Sequence, residues 1–235
     1  MRATLAIARR EIGSAFSSPS TYAIAVIALL VFGYFFAADL TGRRQADLQG
    51  FFRASWLLIF LAPLLTMRLL AEEQKLGTIE LLLTAPVRDL EVVLGKFIGA
   101  FVVLLLMFAP SLGYFVLVSA FGDPQPWPIV TGYVGFFLLG ATCLALGLLT
   151  SSLTSSQVVA AFASFALLLT LWLSFIFSQL FPGGVGRFFS YLALPDHYDE
   201  FVVGVLDAAD ALYYVSLIAV ALFLTTRFLE MRRWR

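Results

Sequence analysis

The amino-acid sequence predicts an all-α integral membrane protein with six transmembrane helices, and three observations carry that reading. Of 235 residues, 61% are apolar and 13% charged, against about 45–50% and about 25% in ordinary soluble domains. Several apolar stretches reach or approach the roughly 20 residues that a helix needs to cross a bilayer. Lysine and arginine gather in alternate connections, the pattern that orients a multi-pass chain. Residues 1–235 read as a single transmembrane domain.

In chain order, residues 3–16 place Leu5, Ala8, Ile12 and Phe16 at helical spacing, with Arg2, Arg9, Arg10 and Ser14 on other faces. This predicts an amphipathic helix along the inner membrane surface; the alternative, a disordered basic tail, has no reason to keep its apolar residues in register. Ser17, Ser18 and Pro19 break it. The first span covers 21–38, is long enough to cross and has no small-residue cleavage site after it, so it reads as a retained span. The second (52–70) and third (90–119) contain Pro63 and Pro110, each of which removes an intrahelical hydrogen bond and predicts a kink. The fourth (129–149) carries Gly132, Gly135, Gly140 and Gly147 with Ala141 and Ala145, small faces that permit close helix approach. An uncharged polar run from Ser151 to Gln157 predicts a tight turn into the fifth span (156–180). Beyond it, Pro182, Gly183, Gly184, Gly186 and Pro195 alternate with apolar pieces too short to cross. That predicts re-entrant half-helices over 188–206 in the outer leaflet, with Asp196, Asp199, Glu200, Asp207 and Asp210 toward water. The sixth span is 210–227.

Orientation follows from the cations. With the N-terminus inside, Arg2, Arg9, Arg10, Arg68, Lys75, Arg88, Lys96, Arg227, Arg232, Arg233 and Arg235 lie on the cytoplasmic side, against Arg43, Arg44, Arg53 and Arg187 outside. Both termini are therefore expected in the cytoplasm.

The stretch from Met67 to Lys96 stands apart. It sets nine ionisable residues around Ile79, Leu81, Leu82 and Leu83, and apolar side chains on a water-facing loop gain nothing unless something covers them. Gly77 ends the arriving helix, Thr78 is a candidate N-cap, and Pro86 ends a short helix over 78–84. Asp89 is expected to cap the next helix, with Glu91 in its first turn. Two readings fit the short helix: a docking knob for a cytoplasmic partner, or a helix lying in the headgroup layer.

Several chemistries have no residues behind them. No zinc-protease, serine-hydrolase or nucleotide-binding motif occurs, so no catalytic residue, metal ligand or cofactor is assigned. The single cysteine, Cys143, rules out an internal disulfide. The only histidine, His197, reads as a surface residue. Zero net charge gives no ground for nucleic-acid binding. The spans are nearly free of ionisable residues, where an ion-coupled carrier keeps a coupling group at membrane depth.

Three segments carry a resemblance. M-R-L-L-A-E-E-Q-K-L-G-T-I-E-L-L-L-T-A-P-V at Met67 to Val87 resembles the cytoplasmic connector of type 2 ABC exporter permeases. The opening A-R-R-E-I-G-S-A-F-S-S-P (8–19) and D-H-Y-D-E-F-V-V-G-V-L-D-A-A-D-A-L-Y-Y-V-S-L (196–217) are similar to the gliding-motility-type branch of that family. The resemblance implies an interface helix with Leu5, Arg9, Arg10, Ile12 and Phe16. It also implies a coupling helix that docks on a separate ATPase, with Glu72, Glu73, Gly77, Thr78, Ile79, Glu80, Leu81, Leu82, Leu83 and Pro86 as the docking residues. The apolar side chains would supply the grip, and the three glutamates would set orientation through basic partner residues.

The expectation is a permease subunit of an ATP-driven exporter in the cytoplasmic (inner) membrane, not itself an enzyme. ATP and magnesium would be bound by two copies of the ATPase. A second permease copy or related chain, membrane lipid and a separate extracytoplasmic auxiliary protein are the other implied partners. A non-transporting scaffold that anchors an ATPase, and a secondary carrier, are the alternatives.

Overall fold

The computed structural model describes residues 2–43, 47–77, 87–122 and 124–233, and among these every regular element is helical. The amphipathic segment forms α1 (Arg2–Ser17), and α2 (Pro19–Arg43) follows after Ser18 alone. Pro19 occupies the first helical position, where its missing N–H has no intrahelical partner to lose.

The second apolar stretch is discontinuous. It contains α3 (Gln49–Arg53), a 3-10 turn (Ala54–Leu57), α4 (Leu58–Thr66), a non-helical turn at 67–70 and α5 (Ala71–Lys75). Pro63 itself lies within α4, and the backbone is irregular at both ends of that helix. In the third stretch, α6 (Asp89–Phe108) and α7 (Leu112–Phe121) are joined by a 3-10 turn over Ala109–Ser111 that contains Pro110. Asp89 is not the cap. Arg88 takes that position, and Glu91 accepts its backbone N–H at 3.3 Å.

The remaining elements are α8 (Pro126–Leu153), α9 (Gln157–Leu180), α10 (Gly184–Leu192), α11 (Leu194–Val203) and α12 (Ala208–Arg233). Among the described residues, six stretches are long and apolar enough to cross a membrane: Pro19–Thr41, Gln49–Lys75, Asp89–Ala120, Pro126–Leu153, Gln157–Leu180 and Ala208–Met231.

The bundle is organised on α8, the most buried of the six. Added Cβ atoms would collide with Phe52 at Gly132, Phe201 at Gly135, Leu104 at Gly140 and Thr66 at Gly147. The glycines are therefore where neighbouring elements come in closest. Phe32, Phe51, Phe108 and Phe136, all at most 1% exposed, join the first four spans, with ring centroids 4.9–5.6 Å apart for the pairs Phe32–Phe51, Phe32–Phe108, Phe32–Phe136, Phe51–Phe136 and Phe108–Phe136.

Nine-residue α10 and ten-residue α11 are too short to cross. Gly183, at φ 80°, makes the reversal between α9 and α10. The second helix is fastened into the bundle through backbone oxygens: Tyr198 donates to Phe52 O at 3.1 Å, Thr131 to Phe201 O at 2.9 Å and Tyr214 to Leu194 O at 2.8 Å.

Candidate functional site

The polar chemistry of the chain concentrates where α5 leaves the bundle. Its centre is Lys96, about two turns into α6. Gly95 and Gly99 flank it and let α1 approach: a Cβ at Gly95 would meet Ile7 at 2.8 Å, and one at Gly99 would meet Glu11 at 2.8 Å. The contacts advance together along both helices, so α1 and α6 run in the same direction. Thr4, Ile7, Ala8 and Glu11 form the packed face of α1. The sequence-predicted stripe lies mostly beside that face: Ala8 is buried, Ile12 half-buried, and Leu5 and Phe16 are 67% and 42% exposed.

This close approach assembles four alternating charges. Lys96 Nζ lies 2.9 Å from Glu11 Oε1 on α1 and 2.9 Å from Glu73 Oε1 on α5. Arg10 Nη2 lies 2.6 Å from Glu73 Oε1 and 3.2 Å from Glu11 Oε1. Lys96 is 1% exposed, Glu11 15%, Glu73 17% and Arg10 56%. Burying an unpaired ammonium costs several kcal/mol, so Lys96 is tolerable there only with its two carboxylates. Burial opposes the charge on Arg10, but hydrogen bonding and attraction from Glu11 and Glu73 outweigh it and raise its pKa above the ordinary guanidinium value.

The other flank of α5 is held by α8. The turn at 67–70 leaves backbone groups without helical partners, and in an apolar setting these must be satisfied internally. Ser151 does so: its Oγ accepts from Leu70 N at 3.2 Å and Ala71 N at 3.0 Å, and donates to Met67 O at 3.3 Å. Gln74 Nε2 donates to Ser152 O at 2.9 Å and Ser151 O at 3.4 Å. A five-residue helix is thereby fastened to α1 and α6 through Glu73 and to α8 through Gln74.

Gly77, at φ 70°, then turns the chain into residues 78–86. Thr78, Ile79, Glu80, Leu81, Leu82, Leu83 and Pro86, expected to dock a partner, lie outside the described residues. Of the other expected docking residues, Glu72 is half-buried, Glu73 joins the ion-pair network and Gly77 is exposed. Arg10 is brought into that network from the interface-helix set; Arg9 stays exposed, and Phe16 meets Tyr22 edge-on at 6.2 Å.

Sequence reading placed Lys96 among the water-facing cations of the connector and did not single out Glu11 or Gln74. The signal available was Lys96's position inside the predicted 90–119 span, since an ionisable residue there needs a partner. The arrangement fastens three elements to the start of the connector.

Across the bundle, His197 is a tie rather than a free surface residue. Its Nδ1 is 2.6 Å from Asp210 Oδ1, its Nε2 is 3.2 Å from Tyr191 O, and its ring stacks on Tyr213 at 3.9 Å, joining α10, α11 and α12.

No curated protein matches the chain. The family described as "ABC-2 family transporter protein" matches residues 5–232.

Proposed function

Because the chain belongs to the ABC-2 family of transporter proteins, we propose that it is the permease subunit of an ATP-driven exporter and that the junction at α5 carries motion between a cytoplasmic ATPase and the spans. The observation behind this reading is that Glu73 and Gln74, the last polar residues before Gly77 and the 78–86 connector apart from Lys75, fasten α5 to three other elements. A displacement of the connector would then reach α1, α6 and α8 together. The change transmitted cannot exceed the difference in contact free energy that the partner's two states make with the connector.

In this reading two ATPase subunits bind ATP and magnesium, and two permease chains, identical or related, sit in the cytoplasmic membrane with their termini inside. The short helix over 78–84 docks on the ATPase, with Ile79, Leu81, Leu82 and Leu83 as its apolar grip. The 188–206 segment is re-entrant in the outer leaflet.

Leu82→Glu tests the docking. The variant is expected to insert normally but to lose copurification of the ATPase and ATP-dependent transport. Full retention of both would refute the reading.

A further inference from the structure

A second polar site lies beside the junction and shares Glu11 with it, while its hydroxyls and Arg68 take no part in the proposed coupling. A cleft of about 160 Å³ opens between α1, the start of α2, the 64–69 segment and α6. Its polar walls are Ser14, Ser18, Ser20, Thr21 and Arg68, with the Ser18 and Ser20 hydroxyls 2.7 Å apart. Its apolar walls include Ile24, Leu64, Ala100 and Val103. In two of the contributing spans an apolar wall residue lies further from the connector-side end than the polar one, since Ile24 follows Thr21 and Leu64 precedes Arg68, and α6 adds Ala100 and Val103. The cleft therefore joins polar and apolar walls in one space.

Its charge is unbalanced. Glu11 also lines it, but that carboxylate is engaged by Lys96 and Arg10. Arg68 is exposed and forms no ion pair among the described residues. A guanidinium fork that shares a cleft with hydroxyls suits phosphate oxygens in charge and hydrogen-bonding capacity. The volume admits a head group, and apolar walls adjoin the polar ones. We propose that this cleft binds the phosphate head of an anionic phospholipid from the leaflet on the connector side. The site is defined by binding alone and does not rest on the transport reading.

The test is native mass spectrometry of the full chain in detergent, without any ATPase, titrated with dioctanoyl phosphatidic acid, dioctanoylglycerol or inorganic phosphate. Phosphatidic acid is expected to be retained and dioctanoylglycerol, with the same tails and no phosphate, is not. Arg68→Gln should weaken retention of phosphatidic acid by about tenfold or more, the worth of a charge-assisted hydrogen bond. Arg68→Lys, which keeps the charge and loses the fork, should fall between, and serves as the readout if the glutamine variant fails to fold. Wild-type retention by a folded Arg68→Gln would overturn the proposal. Equal retention of dioctanoylglycerol would make the cleft an unselective apolar groove, and displacement by inorganic phosphate at equal concentration would make it a free-anion site; either result also overturns it.

Discussion

Replacing Lys96 with methionine isolates the contribution of the four-charge junction, because methionine keeps an unbranched apolar stem and drops the ammonium. That ammonium is 1% exposed and 2.9 Å from both Glu11 and Glu73. Without it, two carboxylates with little access to water still share Arg10, and the four-charge set goes from neutral to one net negative charge. Removing one partner of a buried pair costs about 3–5 kcal/mol. Arg10 stays and both carboxylates retain some solvent, so the lower end applies, about 3 kcal/mol. At roughly 2–4 °C per kcal/mol for a chain of this size, the melting temperature should fall by about 6–12 °C. Fluorescence-monitored thermal unfolding in detergent reads this directly. Adding Glu73→Gln to Lys96→Met restores neutrality and should recover about 1–2 kcal/mol relative to additive single variants. A Lys96→Met protein melting within about 1 °C of the wild type would refute the reasoning. So would a double variant whose loss equals the sum of the singles, since the carboxylates would then not be coupled through Lys96.

Two further perturbations address α8. Ser151→Ala leaves the Leu70 and Ala71 N–H groups without their acceptor, a local cost of about 1–3 kcal/mol, and should speed hydrogen exchange across residues 70–75 by at least about tenfold while leaving α12 unchanged. Unaltered exchange there would mean that the turn at 67–70 is held by something else. Gly147→Val drives a side chain into Thr66 and should destabilise by about 1–3 kcal/mol, whereas Gly113→Val, with nothing within 4 Å of its added Cβ, should stay near neutral in the same thermal assay.

What the sequence reveals here is what is local. A run of about 20 apolar residues must be covered by lipid or protein wherever it sits, so the spans are visible from composition alone. The glycines of α8 are visible too, because small residues repeated along one span have few other uses. The junction is not, since Lys96 meets Glu11 across 85 positions in the chain, and nothing around either residue names the other. Counting cations by side of the membrane does not reveal it either, because that count treats Lys96 as a loop charge when it is a buried one. The face of α1 is ambiguous for a related reason. Its helical period offers Leu5, Ala8, Ile12 and Phe16 as one apolar sector, and the packed face turns from it toward Thr4, Ile7 and Glu11 because Gly95 and Gly99 on a different helix admit those residues. The break at 67–70 also depends on a distant residue: Pro63 disposes the span to bend, but the open backbone is tolerable only where Ser151 supplies its partners.

The length of α5 gives these distant contacts their mechanical meaning. Five residues are far below what a helix needs to persist by itself, because nucleation is unfavourable and only propagation returns the cost. Its conformation and direction are therefore set by what holds it: Ser151 and Gln74 on the α8 flank, Glu73 on the flank of α1 and α6. An independently stable helix at this point could absorb a pull by pivoting as a unit. Moving this one as a unit would lengthen an ion pair or uncover a backbone N–H, which is what the proposed coupling requires of it.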